Sequence, residues 1–247
     1  MRRNFLPLLI LGAVIWAAVT ADVEFDKLAS SGPRLIGFFA RMIPPDFSIW
    51  PELLQGLAET LRIAILGTIG AVFLSAILGI LASETLMRPA IWRPARALLA
   101  MIRAIPLILV AMLMVGAVGL GPLPGILAIT FHATGMLAKF YAEAIDNVTP
   151  GPVAALESAG ASGLQQLRYA IWPQMAPVIL RDTIFRFELN LRESLILGIV
   201  GAGGVGLYIQ TYVRSFQYDK AATVTLAIIA LVLLSEFMNT ALKKKFS

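Results

Sequence analysis

The chain has 247 residues, 58% of them hydrophobic and only 14% charged, where a soluble domain of this size carries about 25% charged residues. It has no cysteine and a single histidine, which excludes disulfides, thiolate chemistry and a transition-metal site. Its net charge of +5 sits at the ends of apolar runs rather than in a basic patch with interleaved aromatics. Nucleic acid is therefore a poor reading, and an integral membrane protein in contact with the lipid bilayer is expected.

The pattern predicts an all-α, polytopic helical bundle of about six membrane spans. The first, about 5–20, follows Arg2 and Arg3 and precedes small residues at Val19-Thr20-Ala21. A cleaved signal peptide shares that pattern; a retained anchor helix is the expectation. An acidic, partly amphipathic segment follows to Pro51, with turn formers at Ser31-Gly32-Pro33 and Pro44-Pro45. Residues 1–56 thus form an N-terminal helix plus an outer segment, and 57–247 the main domain.

The second span is expected at 57–82. A basic loop with Arg88, Arg93 and Arg96 leads to the third at 98–118, kinked at Pro106. Gly121-Pro122-Leu123-Pro124 makes a tight turn into the fourth at 125–141. A polar loop, about 143–177, precedes the fifth span at 182–201, and the sixth runs over 221–242 into Lys243-Lys244-Lys245. Six spans put both termini on one side, with nine basic residues there against five on the other. The positive-inside bias then places the termini and the 143–177 loop in the cytoplasm.

In the polar loop, Leu164, Leu167 and Ile171 recur at helical spacing, with Gln165, Gln166 and Arg168 between them. Gly160 and Gly163 precede this short amphipathic helix, and Pro173 and Pro177 are expected to stop it. Such a helix lies on lipid, packs on its own protein, or docks on a partner.

Gly201-Ala202-Gly203-Gly204-Val205-Gly206 satisfies G-x-G-x-x-G, yet it closes a membrane span rather than joining a strand to a helix, so it holds no dinucleotide. With Gly198, these glycines (Gly201, Gly203, Gly204 and Gly206) suit a gate or hinge, or else a plain helix end. No G-x-x-x-x-G-K-[ST] occurs, so this chain carries no cofactor of its own, and any ATP and Mg must sit on another subunit.

Charges inside the spans define a candidate pathway. Asp182, Arg186, Asn190 and Glu193 share one helix face, and Glu188 and Arg192 another. Arg192 lies roughly 15 Å beyond Asp182, near the middle of a bilayer core about 30 Å thick. It therefore has a partner or water. Pairing four apart, Asp182 with Arg186 and Glu188 with Arg192, is one solution; an Arg192 that lines a wet path and attracts an anion is the other. On the fourth span His132, Met136, Lys139 and Glu143 share a face. His132 either donates to an anionic oxygen or is satisfied by a neighbouring helix, and Lys139 either lines the path or snorkels to the surface. Arg62, Glu59 and Arg103 read as interfacial anchors. The pathway set is His132, Lys139, Glu188, Arg192 and Glu193.

Gly160, with Pro173 thirteen residues later, resembles the cytoplasmic coupling loop of ABC importer permeases, EAA-x3-G-x9-I-x-L-P, with Ala154 at the Glu position and Trp172 at the Leu position. A rival register through Glu157, Ser158, Ala159 and Gly163 loses the proline spacing. The stretches His132 to Lys139 with Glu143-Ala144-Ile145, and Arg186 to Glu193 running into Leu197 to Gly204, resemble phosphonate and phosphite importer permeases. The resemblance implies the type I importer permease fold and a homodimer. It implies a cytoplasmic ATPase dimer seated on Ala154, Gly160, Gly163, Leu164, Leu167, Arg168, Ile171 and Pro173, and a periplasmic binding protein. It also implies a small phosphorus oxyanion as cargo and no covalent chemistry. A proton-coupled carrier using His132, Glu188 and Glu193, or a membrane scaffold with no pathway, are the alternatives.

Overall fold

The computed structural model describes residues 5–20 and 25–246. Arg2, Arg3 and Ala21 of the expected anchor flanks lie outside them. Every regular element among the described residues is helical. Two compact units divide at Pro44–Pro45. In the first, α1 (Phe5–Thr20) is apolar all round and α2 (Phe25–Ala40) is amphipathic, as expected of the segment after the first span.

The second unit opens on a 3-10 turn, Phe47–Ile49, where the Asp46 carboxylate accepts from the Ser48 N–H at 2.8 Å. It leads directly into α3 (Trp50–Ala82), whose Pro51 occupies the first helical turn, where a missing N–H costs nothing. The second span thus starts seven residues earlier than expected. Along α3 a stripe of small residues is buried: Gly56, Thr60, Ala64, Gly67, Ala71, Ser75 and Gly79. Without a hydrophobic drive between helices in lipid, such stripes permit the close backbone approach that supplies packing energy. From Gly67 onward their partner is α6 (Pro122–Asp146), while Gly56 and Thr60 face Val205 and Tyr208. A Cβ on Gly67 would lie 2.6 Å from Ile129 Cγ2, and one on Gly79 2.8 Å from Tyr141 Cβ. Thr130 Oγ1 donates to the Gly67 carbonyl at 3.3 Å.

The expected third span is two helices, α4 (Pro89–Ala104) and α5 (Leu107–Val118), bent by 85°. The sequence reading foresaw a kink at Pro106; the break is far sharper. Pro106 has no N–H to continue the ladder and drives the preceding Ile105 into extended backbone, φ −84°, ψ 120°.

After α7 (Pro150–Ser158) and α8 (Gly163–Gln166), a π-helical turn at Leu167–Ile171 runs into α9 (Trp172–Leu197). The expectation that Pro173 and Pro177 stop a helix is overturned: the helix runs through both. Pro173 sits in the first turn after the π-helical turn, where the wider ring leaves room for a residue without an N–H. The fifth span accordingly begins ten residues before the expected 182. A 3-10 turn at Gly198–Val200, α10 (Val205–Arg214) and α11 (Tyr218–Phe246) complete the chain.

Among the described residues three helices are long and apolar enough to cross a membrane, α3, α6 and α11, and up to five spans result if each bent pair counts as one. The helix α1 is a shorter apolar helix. The main core gathers Ile63, Ala71, Val110, Ile129, Ala133 and Leu197, where α3, α5, α6 and α9 meet.

Candidate transport pathway and coupling hairpin

The hairpin between α6 and α9 is shaped by two local devices. Helix α7 ends in a Schellman motif around Gly160, φ +77°. The Ala161 N–H reaches the Leu156 carbonyl at 2.9 Å and the Gly160 N–H the Glu157 carbonyl at 2.9 Å. A Cβ on Gly160 would meet nothing within 4 Å, so glycine is required by backbone conformation and not by space. Helix α8 then starts at Ser162, whose N–H is held by Gln165 Oε1 at 2.8 Å.

Ala154, Gly160, Gly163, Leu164, Leu167, Arg168 and Pro173 are all exposed, and Ile171 is half-buried. Leu164 is 76% exposed. Ala154, Leu164, Leu167 and Ile171 line one apolar groove of about 870 Å³ together with Ile80 and Met175, so the expected amphipathic face exists. Because α8, the π-helical turn and α9 are continuous, the exposed hairpin and the middle of the bundle share one rod of roughly 50 Å at 1.5 Å per residue. The base of the hairpin is tied to that rod, since the Thr149 N–H donates to Gln174 Oε1 at 3.0 Å.

Further along α9 the charges pair differently from the expectation. Arg186, almost fully buried, donates to Glu193 Oε2 at 2.8 Å, seven residues on, and lies 3.5 Å from Met136 Sδ on α6. Asp182 is paired instead with its neighbour Arg181 at 3.1 Å. The i, i+4 pair does not form for Arg186: its buried guanidinium reaches Glu193, while Asp182 is held by Arg181. The second expected pair forms: Arg192 donates to Glu188 at 2.6 Å. Glu188 also accepts a hydrogen bond from Asn239 of α11. Arg192 remains 43% exposed along its side chain while Glu188 is nearly covered, and the Arg192 Nε is buried without a partner. Asn190, completely buried, donates to Thr68 Oγ1 on α3 at 2.8 Å.

On α6, His132 is partly covered and its Nδ1 is buried without a partner. Lys139 pairs with Glu143 at 3.3 Å. The structure therefore groups His132, Met136, Arg186 and Glu193 in one place and puts Glu188 with Arg192 on another face, with Lys139 farther along α6.

The glycine run is a break and not a plain helix end. Gly201, Gly203 and Gly204 all have φ near +80°, and the chain turns by 41° into α10. A Cβ on Gly198 would lie 2.6 Å from Gly206 Cα, so two backbones touch there. The Gly121 N–H donates to the Gly201 carbonyl at 3.0 Å, which pins the tight turn between α5 and α6 to the break.

Residues 75–247 match the family described as "Binding-protein-dependent transport system inner membrane component". The chain belongs to that family. It is 35% identical to the phosphite transport system permease protein PtxC of Stutzerimonas stutzeri over 240 residues, 96% of this chain and 87% of that one. It is 37% identical to the putative phosphite transport system permease protein HtxC of the same organism, over 98% and 86% of the two chains. A chain of the inward-facing MetNI methionine ABC transporter superposes with a TM-score of 0.71 at 22% identity, covering 82% of this chain and 99% of that chain. The fold is thus that of a type I ABC transporter permease, and the chain is a membrane-embedded transport subunit rather than an enzyme.

Among the polar contacts of the permease that escaped sequence reasoning are Arg186 to Glu193, Asn190 to Thr68 and Glu188 to Asn239. The first was within reach, because residues 186 and 193 share a helix face. The other two join α9 to helices far away in sequence, and nothing local in Thr68 or Asn239 announces them.

Proposed function

We propose that this permease carries a small phosphorus oxyanion (phosphonate, phosphite or hypophosphite) across the bacterial inner membrane into the cytoplasm. It works as a homodimer with both termini cytoplasmic, as the charge count favours. A partner ATPase dimer holds ATP and Mg and grips the hairpin at Ala154–Pro173. A periplasmic binding protein delivers the anion to the glycine-break end. ATP-driven closure of the ATPase pair pulls the exposed hairpin, and the continuous rod into α9 conveys that motion to Arg186, Arg192 and the glycine break. His132, Lys139, Glu188, Arg192 and Glu193 remain the candidate pathway residues.

The observation that carries this reading is the unbroken helix from the exposed hairpin to the intramembrane charges, in a chain closely similar to permeases named for phosphite. Glu188 and Glu193 are both engaged with arginines, which leaves a proton relay through them less room. The test is uptake of labelled phosphite and methylphosphonate into vesicles holding the permease, its partner ATPase and the binding protein. ATP-dependent uptake is expected. Uptake driven by a pH gradient without ATPase would establish the carrier alternative, and no flux with all partners present would establish a scaffold.

A further inference from the structure

We infer a second anion site, a small cleft between α4 and α6 at the hairpin end of the bundle, that binds a tetrahedral phosphorus oxyanion group through Arg103 and Lys139. Arg96, Leu99, Arg103, Lys139, Ala142 and Glu143 line a space of about 110 Å³. That is room enough for a small oxyanion with its water.

The charges in this cleft are unequally satisfied. Arg96 is engaged by Glu84 and, at 2.8 Å, by Asp146. Asp146 is itself fixed by Ser83 Oγ at 2.6 Å and the Thr85 N–H at 3.0 Å. Lys139 has Glu143 at 3.3 Å. Arg103 has only a long bond from its Nε to the Leu99 carbonyl, 3.4 Å, and no carboxylate within 4.0 Å among the described residues. Its terminal donors are uncommitted.

Gly135 explains how the side chain is seated. A Cβ there would come 3.0 Å from Arg103 Cγ and 2.8 Å from Ile102 Cγ2, so the missing side chain lets the Arg103 stem lie on α6. Gly135 and Lys139 stand eleven and seven residues before Asp146, the last residue of α6, or roughly 16 and 10 Å inward at 1.5 Å per residue. A cation at that depth calls for counter-charge or water. The Arg103 guanidinium fork and Lys139 offer an oxyanion charge-assisted donors from two helices. Glu143 competes for Lys139, so its removal should strengthen the site.

Two sources share this chemistry: a free phosphorus oxyanion, which rests on the transport reading above, and the phosphate of an anionic phospholipid in the adjoining leaflet. The full-length permease is placed in nanodiscs of purely zwitterionic lipid, and binding of phosphite and inorganic phosphate is measured by calorimetry for wild type, Arg103→Gln and Glu143→Gln. Separately, native mass spectrometry reads anionic phospholipid retained from native membranes by the same three proteins. A charged hydrogen-bond set of this kind predicts about a tenfold or greater loss in Arg103→Gln and a several-fold gain in Glu143→Gln. A soluble-anion effect of that pattern assigns the site to cargo, and the same pattern in retained phospholipid alone assigns it to lipid. Equal binding by all three proteins in both measurements overturns the inference, and the gain in Glu143→Gln decides it should Arg103→Gln fail to fold. ATP-driven uptake by wild type with no variant effect would remove this site while leaving the transport reading intact. Binding with the predicted pattern but no uptake would do the reverse.

Discussion

Gly160 offers a sharp test of the hairpin, because its environment separates conformation from packing. At φ +77° with open space around its Cβ position, alanine meets no clash and pays only for left-handed backbone, about 1–2 kcal/mol. If the partner ATPase binds the hairpin in this conformation, the competent fraction falls by a factor of about 5–30 and the apparent dissociation constant rises accordingly. Asparagine tolerates the left-handed region, so Gly160→Asn should stay within about threefold of wild type by the same reasoning. Gly160→Val, β-branched, should be worst. The assay is titration of purified ATPase onto immobilised permease in nanodiscs, with thermal melting as a check that the membrane bundle is unchanged. Equal affinities for Gly, Asn, Ala and Val at this position would refute the argument, since no steric effect is available to produce a ranking. A ranking that follows side-chain size, with asparagine poorer than alanine, would instead place a partner surface against Gly160.

Four further outcomes are expected. Arg186→Met alone should lower the stability by about 2–4 kcal/mol, because Glu193, with a quarter of its side chain exposed, loses its cation, whereas the double change Arg186→Met with Glu193→Leu should recover most of it; thermal unfolding in detergent checks both. Thr68→Val removes the acceptor of Asn190 and should cost about 0.6–1.7 kcal/mol, the usual range for a hydrogen bond between membrane helices, read by denaturant titration. Pro173→Ala removes the reason for the wide turn; relaxation to an α-helix would rotate the hairpin by about 100° relative to α9, seen as a drop in ATP-coupled uptake with membrane insertion unchanged. Arg192→Ala should cut anion uptake about tenfold with subunit assembly intact, and unchanged uptake would reduce Arg192 to a structural partner of Glu188.

Much of this architecture could be read from residues alone, for identifiable reasons. The apolar lengths of α3, α6 and α11 announce themselves because lipid demands them, and the amphipathic spacing of Leu164, Leu167 and Ile171 does place them on one groove. Gly160 stood out in the sequence by its spacing to Pro173, and its left-handed backbone emerged only in the structure. Prolines misled in opposite directions. Pro106 breaks a helix pair more sharply than a kink, while Pro173 and Pro177, expected as stops, lie within or beside a continuing helix. What decides between these outcomes is whether neighbouring turns can widen, as at Leu167–Ile171, and that depends on packing that no local pattern encodes. The pathway charges were partly legible: Glu188 and Arg192 pair as their spacing suggests, but Arg186 passes over the nearer Asp182 for Glu193. Arg103, taken as an interfacial anchor, proved to sit against Gly135 in a cleft, a juxtaposition created by the fold of α4 back along α6.

The glycine-lined contact between α3 and α6 bears on how this machine moves. At Gly67, Gly70 and Gly79 side chains of α6 fill the notches of α3, so sliding or twisting of one helix past the other meets backbone and side chain at three levels. On the transport reading proposed above, α3 and α6 should therefore behave as one body: spin labels placed on them should keep one separation through the ATP cycle while a label on α9 changes its distance to both, and a changing α3–α6 distance would refute this.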